Sequence, residues 1–190
     1  MGILGAIILI IGILVVILLV LIGLYNSIIS LRNRVDNAWS QIDVQLRKRF
    51  DLIPNLVETV KGYAAHERET LQNVIEARQL GMSAKSVKDQ AQADNMITGT
   101  LKSLFAVAEN YPNLKADAHF ARLMEELQGI ESNIAFARQF YNDTVMQFNT
   151  RIQTFPGNIF AGMFNFKIRE YFLVEETAAR EPVKVQFTQQ

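Results

Sequence analysis

GILGAIILIIGILVVILLVLIGLYNSIISL (residues 2–31) carries no charged side chain, and residues 3–24 consist of Ile, Leu, Val, Gly and Ala alone. At ~1.5 Å of rise per residue that run reaches ~30 Å as a helix, the thickness of a bilayer's hydrocarbon core. In water it would expose a greasy cylinder, whereas in lipid a helix satisfies its own backbone hydrogen bonds. The reading is a retained transmembrane anchor over residues 1–25, with everything after it tethered to the bilayer. A cleaved signal peptide is the competing reading. It lacks support because the charged n-region is missing, the apolar run is too long, and no A-x-A site precedes Tyr25-Asn26.

Outward from the anchor, apolar residues recur at steps of three and four. Val35, Trp39, Ile42, Leu46, Ile53, Leu56, Val60, Tyr63, Leu71 and Val74 form one stripe, with charged and amide residues on the other faces. That periodicity predicts a long amphipathic helix packed along one seam, coiled-coil-like except where Arg49 and Glu67 fall near the seam. Pro54 lies inside the run and removes the backbone bond to the Phe50 carbonyl. The stripe keeps its phase from Leu46 through Ile53 to Val60, so a continuous, kinked helix over about residues 25–80 is expected. The alternative has Asp51 capping a new helix with Pro54 in its first turn.

Gly81 is a candidate C-cap, and Ser83 or Ser86 can open the next helix. Its stripe is Val87, Ala91, Asp94, Ile97, Leu101, Leu104, Phe105 and Ala108, and Tyr111-Pro112-Asn113 stops it. A third helix opens near Lys115 with the cleanest pattern in the chain: Phe120, Leu123, Leu127, Ile130, Ile134, Ala137, Tyr141, Val145, Phe148 and Ile152. Phe155-Pro156-Gly157-Asn158 ends it. The aromatic stretch that follows fits a short helix at Ile159, Phe160, Met163 and Phe164, while Phe164, Phe166 and Ile168 also alternate as a strand would. Residues 175–190 read as a loosely held tail in which Val183, Val185 and Phe187 alternate weakly.

The expected fold is therefore all-α: an N-terminal transmembrane helix, then an antiparallel up-and-down bundle over residues 26–174 with three long helices and a short fourth segment. Short connections make neighbouring helices antiparallel.

Composition bounds the chemistry. Nineteen Lys and Arg balance nineteen Asp and Glu, so no broad basic surface points to nucleic acid. The absence of cysteine removes disulfides, thiolate zinc sites and cysteine nucleophiles together. His66-Glu67-Arg68-Glu69-Thr70 begins like H-E-x-x-H but ends on threonine, and a zincin needs the second imidazole one turn on. His119 stands apart from any acid at ligand spacing. No E-x-x-H pair, G-x-S-x-G turn or phosphate-cradling glycine loop is present. The chain is expected to be no enzyme, with no catalytic, cofactor-binding or metal-binding residue and no cofactor.

What the residues do offer is surface for association. At ~100° per residue Gly5, Gly12 and Gly23 fall within about 20° of one another around the anchor, a stripe that lets two backbones approach. Trp39 with the i,i+4 pair Asp43 and Arg47 is a candidate bundle or oligomer contact, since Trp and Arg are enriched in interface cores. Against this stands a plain surface ion pair of small value. The aromatic residues Phe155, Phe160, Phe164, Phe166 and Phe172 either cap the bundle or present a surface to a partner, a second copy or lipid. Only the α-amine precedes the span, whereas Arg32, Arg34, Arg47, Lys48 and Arg49 follow it, so the positive-inside rule puts the C-terminal part in the cytoplasm. The opposite topology stays open.

The stretch AWSQIDVQLRKRFDLIPNLVETVKGYAAHE (residues 38–67), preceded by Tyr25-Asn26 and followed by Glu76-Ala77-Arg78, resembles the LemA family. So do Tyr111-Pro112-Asn113-Leu114-Lys115-Ala116, Ile134-Ala135-Phe136-Ala137-Arg138 with Tyr141-Asn142, and Phe155-Pro156-Gly157-Asn158. The resemblance covers nearly the whole chain. It implies an up-and-down helical bundle behind one membrane helix in a bacterial plasma membrane, with the small N-terminus outside, and it supplies no activity. The expected role is a membrane-anchored helical scaffold that forms a homo-oligomer, organising or shaping membrane or recruiting partners. The alternative is a monomeric adaptor or regulator of a membrane protease or signalling complex, which would have a membrane protein as its partner.

Overall fold

The computed structural model describes residues 2–173, whose regular structure is entirely helical. Six helices succeed one another: α1 (Gly2–Tyr63), α2 (Arg68–Ser83), α3 (Val87–Ala108), α4 (Pro112–Lys115), α5 (Ala118–Gln153) and α6 (Gly157–Phe164). The weak alternation expected at Val183, Val185 and Phe187 lies outside the described residues. The chain divides into two compact units, one of residues 2–49 with 125–171, the other built around residues 50–124.

In the first unit α1 changes character without breaking. Its apolar residues from Ile3 to Ile22 are exposed, and from Ile28 onward a stripe of Ile28, Val35, Ala38, Ile42 and Leu46 is buried. The 3.6-residue period places these on one side of the helix, where each large aliphatic side chain contributes about 1.5–3 kcal/mol on burial. The matching stripe of α5 is Leu127, Ile134, Tyr141, Val145 and Phe148. Trp39 meets Tyr141 with ring centroids 5.6 Å apart, and the fully buried Arg49 donates to Glu131 at 2.7 Å. α5 ends at Gln153, and the chain turns through Phe155-Pro156, a cis peptide, into α6. Only glycine fits at position 157, because a Cβ there would lie 1.9 Å from the Arg151 carbonyl oxygen. Asn165 closes α6 in the left-handed conformation (φ 55°), which asparagine tolerates better than most residues. Of the two conformations open to residues 159–168, the helix forms at its start, and residues 165–173 follow without regular structure.

The second unit holds the end of α1. Pro54 is accommodated inside this helix, so Asp51 does not start a new one. The carbonyl that Pro54 leaves without an intrahelical donor belongs to Phe50, and Arg78 of α2 donates its Nε to that oxygen at 2.7 Å. Such a bond is possible because the chain reverses at residues 64–67. The expected single helix to residue 80 is thus corrected: α1 stops at Tyr63, and α2 doubles back to set Arg78 and Gly81 against Phe50. Folding back buries Leu71, Val74 and Ala77, which a straight continuation would leave without partners.

Gly81 is correspondingly not a cap. α2 runs on to Ser83, and a Cβ at position 81 would come 2.6 Å from the tip of the Phe50 ring, so glycine lets the two helices approach without displacing that ring. Ser86 opens α3 with a reciprocal capping box to Asp89. α4 is a single turn with Pro112 at its start, which moves the beginning of α5 from the expected Lys115 to Ala118. Asp117 accepts from the backbone N–H groups of His119 and Phe120, both at 2.8 Å, satisfying two donors at the head of α5. Two tyrosine–carboxylate bonds tie the connections: Tyr63 to Asp117 at 2.9 Å and Tyr111 to Glu67 at 3.1 Å. Glu67, expected near the seam, sits in the reversal.

Two outcomes follow for this unit. Arg78→Met removes a charged donor from the orphan carbonyl and is expected to cost about 1.5–3 kcal/mol in chemical denaturation. In a Pro54→Ala background the new N–H serves the same oxygen, so the cost of Arg78→Met shrinks; equal costs in both backgrounds would show the two positions uncoupled. The second outcome concerns pH. Hydrogen bonds from the Phe120 N–H and the Tyr63 hydroxyl hold the Asp117 carboxyl below its ordinary pKa. Its stabilising effect is present above that ordinary value and disappears as pH falls through the lowered one, below about pH 4. Asp117→Asn keeps a capping oxygen without the titration, so its melting temperature should fall less steeply with acid.

Candidate interaction surfaces

Tyr25 is the first residue after the apolar run, and an aromatic cluster gathers on it. Its ring lies 4.8 Å from that of Phe164 and 6.2 Å from that of Phe166, centroid to centroid. Phe164 stands nearly parallel to Phe160 at 6.3 Å. Phe160 is buried at 7% exposure, so α6 docks through this side chain while Phe164 is half in solvent. Phe155 is almost wholly exposed, and Phe172 is buried in the second unit. The structure therefore brings together three of the five aromatic residues singled out from sequence and leaves the other two outside the cluster.

The irregular segment after α6 is held by polar bonds. The Asn149 amide pairs with the Arg169 backbone in both directions, donating to its carbonyl and accepting from its N–H at 2.9 Å each. Tyr141 donates its hydroxyl to the Glu170 carbonyl at 2.9 Å, and the Arg169 guanidinium reaches Asp36 at 2.8 Å. Burial raises the pKa of Tyr141, whose proton serves that bond. Position 149 lies on α5, and position 36 on α1, so one short segment straps both helices.

A groove of about 540 Å³ lies elsewhere on the same two helices, between Ser40, Val44 and Gln45 of α1 and Phe136 and Phe140 of α5. Phe136 is 72% exposed, and Val44 and Phe140 are about half exposed. Gln45 Oε1 is buried there without a hydrogen-bond partner. Of the candidate contacts, Trp39 is half-buried on Tyr141, and Asp43 and Arg47 form an exposed i,i+4 pair at 2.9 Å. A pair so placed is worth little in free energy. Gly5, Gly12 and Gly23 have nothing within 4 Å of where a Cβ would stand. His66 and His119 are both exposed. Among the described residues no group of three His, Asp or Glu is arranged to hold a metal ion.

Residues 38–187 match the model of the LemA family. The chain belongs to the LemA family. Relatives include Magnetosome protein MamQ 2 of Paramagnetospirillum magneticum, 25% identical over 185 residues, an alignment covering 84% of this chain and 68% of the relative. Magnetosome protein MamQ of Magnetospirillum gryphiswaldense is 23% identical over the same shares. Protein LemA of Metamycoplasma hominis is 28% identical over 143 residues, 73% of this chain and 64% of that protein. Membership accounts for the resemblance carried by residues 38–67 and by the later blocks.

Sequence reasoning missed the groove and the partner of Arg49. The signal for the second was present: a charge at a seam position requires an opposite charge on the facing helix, and Glu131 sits one turn before Ile134 in the α5 stripe. Glu131 keeps 40% of its side-chain surface in solvent while Arg49 keeps none. Glu131→Ala removes a charge-assisted hydrogen bond from a fully buried guanidinium and should cost about 1.5–3 kcal/mol. Thermal melts of Glu131→Ala check the cost, and the double variant Arg49→Met/Glu131→Ala should cost less than the sum of the two single changes because the sites are coupled.

Proposed function

We propose that this LemA-family chain is a non-enzymatic, single-pass membrane scaffold. Residues 3–24 cross the bilayer, the following helices form an antiparallel up-and-down bundle, and copies associate to organise or shape a patch of membrane or recruit partners to it. The observation that carries the reading is α1 itself. Its first apolar stretch is long enough to span a bilayer and has none of its surface buried, yet the same helix continues without interruption into a buried seam. Lipid is the solvent that suits the exposed part. The basic residues after the span favour a cytoplasmic bundle.

Two surfaces serve the association. In the anchor, Gly5, Gly12 and Gly23 offer open backbone to a second helix. Outside it, Val44, Phe136 and Phe140 offer exposed apolar surface beside the Trp39–Arg47 stretch of α1. The exposed Phe136 and Phe140 of that groove favour a second reading, a monomeric adaptor whose membrane-protein partner seats on them. Crosslinking in native membranes separates the two: self-crosslinks support the scaffold, and one stoichiometric foreign partner without them supports the adaptor.

Light scattering of the detergent-solubilised full-length protein should give a mass above that of a monomer at micromolar concentration. Gly12→Leu should shift it toward the monomer while leaving the circular dichroism spectrum unchanged. A strict monomer for the unaltered protein would overturn the scaffold; unaltered oligomer size in Gly12→Leu would remove the anchor from the association.

A further inference from the structure

The exposed side of α6 lies at the end of the apolar span, and we propose that it is a second membrane contact, resting in the interfacial layer of the bilayer beside the anchor. The proposal relies on the anchoring of residues 3–24 proposed above. Position is the first argument. Tyr25 marks the end of the apolar run, and the Phe164 ring is 4.8 Å from it, so α6 is seated where the hydrocarbon core gives way to headgroups. Tyrosine favours that level because its ring is apolar and its hydroxyl is wet.

The chemistry of the outward side is the second argument. α6 turns Phe160 inward and leaves Ile159, Met163 and Phe164 at 52%, 72% and 50% exposure, flanked by Phe155 at 79% and Ile168 at 60%. Five large apolar side chains within fourteen residues form more than the scattered exposure usual on soluble surfaces. Side chains of this kind set at the interface reach ~5–10 Å into the headgroup and acyl boundary.

Charge is the third. No acidic residue occurs in residues 2–35 or 144–169, whereas Arg32, Arg34 and Lys167 are present and exposed. Just beyond these ranges Asp36 is paired with Arg169 at 2.8 Å, and the exposed cations Arg32, Arg34 and Lys167 complement phosphate headgroups beside hydrocarbon. A soluble partner or a second copy would meet the apolar side equally well, but neither would require it to sit beside Tyr25.

The chain has no cysteine, so single substitutions carry a probe cleanly. Full-length Met163→Cys, Ile159→Cys, Ser132→Cys and Val16→Cys are labelled with an environment-sensitive nitrobenzoxadiazole dye. They are then reconstituted in phosphatidylcholine–phosphatidylglycerol vesicles containing nitroxide lipids of shallow or deep label position. Circular dichroism confirms that each variant keeps its helix content. At positions 163 and 159 the emission should be blue-shifted and quenched several-fold more strongly than at Ser132, more by shallow nitroxide than by deep. The Val16 label should respond most to deep nitroxide.

If position 16 is quenched and position 163 resembles Ser132, the interfacial contact is refuted and the anchor stands. A blue shift at position 163 without lipid quenching assigns the surface to protein and equally refutes the contact. Failure of quenching at position 16 overturns the anchor and this inference with it.

Discussion

One helix that carries two surface regimes is the constraint on which the structure depends. α1 begins with residues whose every face is apolar and continues, in the same backbone hydrogen-bond ladder, with residues apolar on one face only. The change is made by side chains alone: charges enter at Arg32, and the buried stripe begins at Ile28. No loop separates the two regimes, so the first buried residues are placed by the same backbone that carries the span. Everything in the first unit is then organised against a helix already fixed in direction, and α5 supplies the complementary stripe.

Two buried polar groups on α1, the Arg49 guanidinium and the Phe50 carbonyl, each meet a partner from another helix. Arg49 is enclosed while its partner Glu131 is partly wet, so one ion is desolvated and the other keeps much of its hydration. That arrangement avoids most of the cost of burying two charges together. The Phe50 carbonyl is another case. Pro54 deprives it of a donor, and the guanidinium of Arg78 replaces an absent N–H. The proline is thereby tolerated in mid-helix, and the orphan it creates becomes a specific attachment point for α2. A polar defect in one helix has been made into the address of the next.

The helical class, the apolar span and most of the buried stripe were legible in the sequence because they rest on period and composition, which local residues carry. Val35, Ile42, Leu46, Ile53, Leu56 and Val60 are buried as their spacing requires. The reversal at residues 64–67 was not legible for the same reason. Leu71 and Val74 fall in phase with Val60, so periodicity reads straight through the turn, and no Pro or Asn-Gly punctuates it; only Ala64, Ala65, His66 and Glu67 stand there. Tertiary contacts decide the matter, through Phe50 meeting Arg78 and Gly81. Residues 159–168 were ambiguous because aromatic side chains suit both periods, and the choice is made by the Phe160 and Tyr25 contacts, which lie far away in sequence. The groove at Val44, Phe136 and Phe140 was invisible because an exposed apolar residue leaves no mark on a helical stripe beyond a small departure from it.

The same contacts explain why the apolar residues around α6 remain exposed in the folded chain. An isolated eight-residue helix is too short to persist in water on its own. Here it is bounded on both sides: position 157 lies so close to the Arg151 carbonyl that glycine alone fits, and the segment beyond Asn165 is tied through Asn149, Tyr141 and Asp36. Those bonds fix the path of the chain, and the path leaves one aromatic side chain, Phe160, to face inward. Burying Met163 or Ile159 instead would require rotating α6 about its axis and withdrawing Phe160 and Phe164 from Tyr25. Polar strapping thus selects which apolar side chains are satisfied within the protein and which must find their partner outside it.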